Sequence, residues 1–193
     1  MIIVFAKAPV PGEAKTRLIP RLGAWRAARL HVRLTLHALR TARAAHCGPV
    51  ELHLTRRHSL FKGARLQRGR DLGERMQHAF RRSRQAILIG TDCPVLGARD
   101  LQRAARWLRG GYDAVVAPAE DGGYALIGLK KPLLHLFRGI DWGSERVYAQ
   151  TVKKLAGYRW RALPSVWDLD RPQDLERLRS LRLPLASRPA ARR

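Results

Sequence analysis

A chain of 193 residues, 46% of them apolar, can bury a sizeable core, which argues against a disordered segment. The charge is lopsided: 38 Lys and Arg against 15 Asp and Glu give +23, which favours polyanions at low salt, but the arginines are spread over nearly every predicted helix, as in a GC-rich coding bias, and do not form one basic arm. No apolar run approaches the ~20 residues of a membrane span, and two distant cysteines, Cys47 and Cys93, with no CxxC pair argue against a structural zinc site or a disulfide framework.

Met1 leads straight into Ile2–Ala6, apolar and without a basic n-region, so a strand is expected there, not a signal peptide, and the chain reads as cytoplasmic. The next stretch, Lys7-Ala8-Pro9-Val10-Pro11-Gly12-Glu13-Ala14-Lys15-Thr16-Arg17-Leu18, gathers three cations around one hydroxyl. A cationic loop leaving the first buried strand suits a diphosphate or triphosphate. It is not a P-loop, because Ala14 stands where the second Gly is required. Ala27, Leu30, Leu34 and Ala38 recur at helical spacing and predict a long amphipathic helix over Ala24–Ala45, ended by Gly48-Pro49. Val50–Thr55 alternates apolar and polar residues as a second strand does. His53 and His58 have no motif partners and are expected at the surface, and the basic stretch from Arg56 to Arg68 is not placed by its pattern. A helix is expected from Asp71 to about Gln85, with Asp71 as its N-cap and Glu74 completing a capping-box pair.

Ala86-Ile87-Leu88-Ile89 reads as a strand buried on both faces, and Gly90-Thr91-Asp92-Cys93-Pro94 ends it. A carboxylate at the carboxyl end of such a strand lies where open α/β sheets bind ligands; Asp92 can hold Mg²⁺, or equally cap the next turn. A helix over Ala98–Leu108 and a short strand over Asp113–Ala117 follow. Glu120-Asp121-Gly122-Gly123 is a plain turn or a place where backbone comes close to a ligand, and Tyr124–Leu129 returns through the sheet. Near the end, Asp168 and Asp170 occupy alternate positions before Pro172, so Asp170 reads as a helix cap or as a second metal ligand. The five tryptophans are spaced as isolated core or pocket-wall residues. The alternation of strands and helices predicts an α/β fold over residues 1–183, with a mainly parallel central sheet flanked by helices on both faces, and a basic flexible tail over 184–193.

Five stretches in register resemble one family: Phe5-Ala6-Lys7-Ala8-Pro9-Val10-Pro11-Gly12 with Lys15-Thr16-Arg17-Leu18, Asp71–Met76, Gly90–Pro94, Pro118–Tyr124 and Asp168–Leu175. The chain is similar to the glycosyltransferase-A-like family of bacterial transferases, some labelled arsenosugar-biosynthesis glycosyltransferases, in the nucleotide-diphospho-sugar transferase superfamily. The resemblance covers about residues 1–180 and implies a Rossmann-like GT-A fold that binds a nucleotide sugar through Mg²⁺ or Mn²⁺. It implies Asp92 and Asp170 as metal ligands and Lys15 and Arg17 beside the phosphates. The nucleotide-binding set it implies is Ala6, Lys7, Lys15, Arg17, Asp71, Arg75, Gly122 and Gly123. Departures at Glu13, Ala125, Gly143-Ser144 and Arg171 bear more on the acceptor pocket than on the metal.

Three functions follow as expectations. The first is metal-dependent transfer of a sugar to a small-molecule acceptor, with Asp121, or as second choice Glu120, as general base if the reaction inverts, and Lys15 and Arg17 stabilising the departing diphosphate. The second is nucleotidyl transfer from an NTP to a phosphorylated acceptor, as in guanylyltransferases of the superfamily. The third, nucleic-acid binding, lacks a recognition helix, a zinc finger or an aromatic stacking set, so no specific nucleic-acid partner is expected.

Overall fold

The computed structural model describes residues 1–181; the tail expected over 184–193 lies outside the described residues. The strands are β1 (Ile2–Ala6), β2 (Val50–Leu54), β3 (Arg65–Leu66), β4 (Ala86–Ile89), β5 (Ala114–Pro118), β6 (Tyr124–Leu129) and β7 (Trp160–Ala162). The helices are α1 (Ile19–Leu22), α2 (Ala24–Ala44), α3 (Leu72–Phe80), α4 (Ala98–Arg109), α5 (Val147–Lys154) and α6 (Asp174–Ser180). They build one seven-stranded sheet in the order β3-β2-β1-β4-β6-β5-β7. Pairing is parallel except on either side of β6, which runs antiparallel to β4 and β5. The fold is therefore α/β with a mostly parallel, mixed sheet.

Alternation along the strands sorts the core into two layers. Ile2, Val4, Ile87, Ile89 and Val115 face α2 and α4, meeting Leu39, Leu101 and Leu108. Ile3, Phe5, Leu88, Val116 and Ile127 face the other way, against Met76 and Phe80 of α3 and Phe137 of a 3-10 turn. A third cluster joins Leu18, Leu30, Leu34, Trp167, Leu169 and Leu178. It clamps the loop after β1 to the segment before α6, and each fully buried leucine contributes about 1.5–3 kcal/mol to that clamp.

Strand order reverses between β1 and β4: the chain first moves outward through β2 and β3, then returns to β4 on the other side of β1. The loops leaving β1 and β4 consequently diverge and leave a crevice at the carboxyl edge. Because β6 is antiparallel, it starts at that same edge and brings the turn before Tyr124 there.

Several local expectations change. The helix after Asp71 stops at Phe80, with Arg81 as C-cap. The unplaced basic stretch holds a 3-10 turn, Ser59–Phe61, and the edge strand β3. His53 is buried, stacked on Phe5 and bonded to Glu51 at 3.0 Å. Pro172 precedes α6 without opening it: the Asp174 carboxylate accepts from the amides of Asp170 and Arg171, so Asp170 is released from capping. Trp167 is buried and Trp142 lies at the crevice, but Trp25 is 75% exposed, against the expectation for all five tryptophans.

Candidate active site

The loop after β1 is shaped by its prolines and by Gly12, and it is anchored by the buried residues Ala14 and Leu18. Between those anchors Lys15 is left-handed, at φ 52 and ψ 46, a conformation that costs a non-glycine residue roughly 1–2 kcal/mol. That turn sends the side chain inward. It is 3% exposed, its ammonium stands 2.8 Å from Asp92 Oδ1, and it donates a hydrogen bond to the Leu169 carbonyl. Arg17 pairs with the Asp170 carboxylate. The Leu169 amide donates to the Asp92 carbonyl at 2.7 Å, which ties the terminal segment to the loop after β4.

Asp92 is itself 48% exposed and faces the crevice. Partial burial works to raise its carboxyl, but the charge and hydrogen bond of Lys15, helped by His31 and Thr91, outweigh it, and the group titrates below the ordinary range. The carboxylate is therefore ionised at neutral pH.

Asp92 stands where two lobes meet. The first, about 500 Å³, is lined by Ala6, Lys7, Lys15, Arg17 and Arg75 together with Asp92 and Asp170. Gln67 and Thr55 close its far end, beside β3 and β2. The second, about 1080 Å³, is lined by Asp121, Asp168, Gly122, Gly123, Trp142 and Cys93. Cations outnumber acids in the first lobe, and acids outnumber cations in the second, which Arg17, Arg146 and Arg171 also line. Burial, followed by the charges of Asp121, Asp170 and Asp92, pushes the Asp168 carboxyl up to about 6. Burial, followed by the charges of Asp168, Asp92 and Asp121, pushes the Cys93 thiol up, so it stays protonated and is no nucleophile.

The expected residues are thus mostly brought together, with one exception and one change of role. Asp71 does not line the crevice. Its carboxylate caps α3 by accepting from the Glu74 amide at 2.8 Å, while Glu74 bonds back to Arg70. A short acid at that position is satisfied locally by an orphan helix amide. Gly122 does permit a close approach, but the approaching backbone is that of Glu145: a Cβ at Gly122, where φ is +85, would lie 2.1 Å from the Glu145 oxygen. Asp121 Oδ1 accepts from the Gly123 amide at 2.8 Å, and Glu120 is held by Arg177 across the rim.

Two crevice residues, His31 and Gln67, were not singled out from sequence, and a third, Asp168, was noted without a role of its own. His31 is 4% exposed, with Nε2 3.0 Å from the Lys7 carbonyl and Nδ1 without a partner in the described structure. Burial first, then the Lys15 and Lys7 charges, lower its pKa against the opposing pull of Asp92 and the Lys7 carbonyl, so the ring is neutral. Its position between Leu30 and Leu34 on the buried stripe of α2 was a legible signal, a polar group where an apolar one is due. Gln67 donates both Nε2 hydrogens, to the carbonyls of Ala6 and His53 at 3.0 Å each, and so fixes the carboxyl ends of β1 and β2. Asp168 was visible as half of the alternate-acid pair with Asp170, though not as a neighbour of Asp121.

The oxygen-only donor set fits Mg²⁺ or Mn²⁺. A cation, the Lys15 ammonium, already sits between a carboxylate and a carbonyl oxygen there. Among the described residues no three Asp, Glu, His or Cys side chains form a complete cage, which suits ions that take one or two carboxylates and complete their shell with substrate phosphates and water.

No curated protein matches this sequence. Among solved structures, the "putative nucleotide-diphospho-sugar transferase" of Desulfovibrio desulfuricans G20 is 32% identical, with TM-score 0.86 over 94% of this chain and 87% of that one. CMP:2-keto-3-deoxy-manno-octonic acid synthetase in complex with CTP shares the fold alone, at 12% identity and TM-score 0.60 over 94% and 97%. So does Rv0371c of Mycobacterium tuberculosis H37Rv in complex with manganese, at 17% identity and TM-score 0.54 over 93% and 98%. The fold is thus that of nucleotide-sugar transferases and nucleotidyltransferases, and the chain resembles transferases of both kinds. Residues 26–144, more than half of the chain, match the model of one family, and the chain belongs to that family, described as "Uncharacterized protein conserved in bacteria (DUF2064)".

Proposed function

We propose that this protein transfers a sugar from a nucleotide-diphospho-sugar donor to a small-molecule acceptor with the help of Mg²⁺ or Mn²⁺. One observation carries the reading: the balance of charge changes sign across Asp92, from the lobe of Lys7, Lys15, Arg17 and Arg75, where cations prevail, to the lobe of Asp121 and Asp168, where acids prevail over Arg146 and Arg171. A donor diphosphate belongs among the cations, and a neutral or cationic acceptor among the acids. The carboxylates of Asp92 and Asp170 would hold the metal, which when bound neutralises charge on the leaving diphosphate. Lys15 and Arg17 stabilise the same developing charge. Asp121 takes the acceptor's hydroxyl proton if the anomeric centre inverts; one of its oxygens is committed to Gly123, and the other has no partner among the described residues.

The test is a panel of nucleoside diphosphates and nucleotide sugars scored by thermal stabilisation with and without Mn²⁺. Binding raises stability as RT ln(1 + [L]/Kd), so at 100 Kd about 2.7 kcal/mol is expected. Asp92→Ala should remove the metal-dependent part of the shift and leave the rest. Absence of any shift across the panel would end the proposal. The CTP-bound structure of the same fold supports a second reading, nucleotidyl transfer from an NTP. The product separates the two, because a sugar donor releases a nucleoside diphosphate whereas an NTP releases pyrophosphate.

A further inference from the structure

Both carboxylates that would hold the metal are already engaged by the two cations that would hold the diphosphate. Lys15 covers Asp92 Oδ1 at 2.8 Å, and Arg17 covers Asp170. The two pairs differ in burial. The Arg17 side chain is mostly exposed, while that of Lys15 is buried and donates to the Leu169 carbonyl. Its seat is held by packing: the cluster of Leu18, Leu30, Leu34 and Leu169 fixes the loop and the terminal segment around it.

We propose that Lys15 and Arg17 are placeholder cations, so that metal and nucleotide load together by an exchange of ionic partners. The inference rests on the reading of the crevice given above. Four side chains, two positive and two negative, are neutral as a set. A divalent ion entering alone must displace the Lys15 ammonium from Asp92 and leave that charge without a counter-ion in a water-poor seat, which is unfavourable. A diphosphate entering alone draws off the cations and leaves Asp92 and Asp170 unpaired beside it. When both enter, the carboxylates turn to the metal and the cations to the phosphates, and every charge keeps an opposite neighbour. The other groups facing the seat fit this exchange. His31 is neutral and cannot replace Lys15 as counter-ion, and Lys7, with no ion-pair partner among the described residues, is open to the incoming phosphate.

Titrating Mn²⁺ into the protein, with free ion followed by electron paramagnetic resonance, tests this without any turnover. For the wild type, a saturating nucleoside diphosphate should tighten Mn²⁺ binding by about 5–150-fold, with the reciprocal effect of Mn²⁺ on the nucleotide. Lys15→Met should bind Mn²⁺ alone roughly tenfold more tightly than the wild type, and added nucleotide should then improve it much less. Lys15→Gln serves as a second variant of different polarity, and melting curves establish that each is folded. Mn²⁺ affinity unchanged or weakened in both variants, with Asp92→Asn still abolishing binding, would overturn the placeholder role and leave the metal site standing. No Mn²⁺ binding by the wild type with any nucleotide would overturn both readings.

Discussion

Half-buried beside three other acids, Asp168 is the group whose titration has the clearest consequence. Its folded-state pKa is about 6, raised from the ordinary 3.8 by burial and then by Asp121, Asp170 and Asp92. The folded chain thus holds this proton more tightly than the unfolded chain does. The contribution to stability is fully present below about pH 4, is lost as pH rises towards 6, and stays lost above it. Asp168→Asn, which removes the charge and little volume, should raise Tm at pH 7.5 by roughly 2–4 °C, the shift that ~1 kcal/mol gives a domain of this size, and by almost nothing at pH 4. Metal-free melting curves at the two pH values check this. An equal gain at both would mean that no acidic field acts on the residue.

At the scale of elements, the first turn of α3 decides how closely the crevice floor packs. A Cβ at Gly73 would lie 2.4 Å from the Phe137 carbonyl oxygen and 2.6 Å from Trp142 Nε1. Backbone on one side and a large indole on the other leave little room to yield. Gly73→Ala should therefore cost about 1–3 kcal/mol despite alanine's better helix propensity. Gly63→Ala, with nothing within 4 Å of the added carbon, is the matched control. Urea denaturation should show a lower midpoint for the first at unchanged slope, and no change for the second. Trp142 also lines the acidic lobe, so the Gly73 variant should alter tryptophan fluorescence even where it remains folded.

For the whole molecule, the net charge of +23 and the cationic lobe have separate consequences. Exposed arginines stud the solvent faces of α2 and α4, including Arg26, Arg29, Arg99, Arg103 and Arg106, and are not gathered at the crevice. Binding to DNA through such a surface is counter-ion release and falls steeply with salt. A retarded DNA band at 50 mM salt should disappear by about 200 mM, while nucleotide-dependent stabilisation persists there because its contacts are few and sheltered. A DNA complex that survived that salt would point instead to a specific nucleic-acid partner. No helix among the described residues is long and apolar enough to cross a membrane.

The amino-acid order alone determined β1, β2, β4, β5, β6 and the helices α2 and α4, most of which declare themselves by a period of two or 3.6 residues or by an unbroken apolar run. It also determined which loops carry acids and cations, because turn residues are local. Tertiary structure decided the rest. Whether Asp71 or Asp170 caps a helix depends on which amide lies within reach: Asp71 keeps the cap expected of it, whereas Asp174 takes over the one expected of Asp170. β3 and β7 are too short to show a period and exist because a neighbouring strand offers a ladder. The pairing of Lys15 with Asp92 arises only because a hydrophobic cluster brings the loop after β1 and the segment before α6 to the end of β4. Propensity acts over a few residues, whereas charge and packing act through space, and the candidate site is made of the second kind of contact.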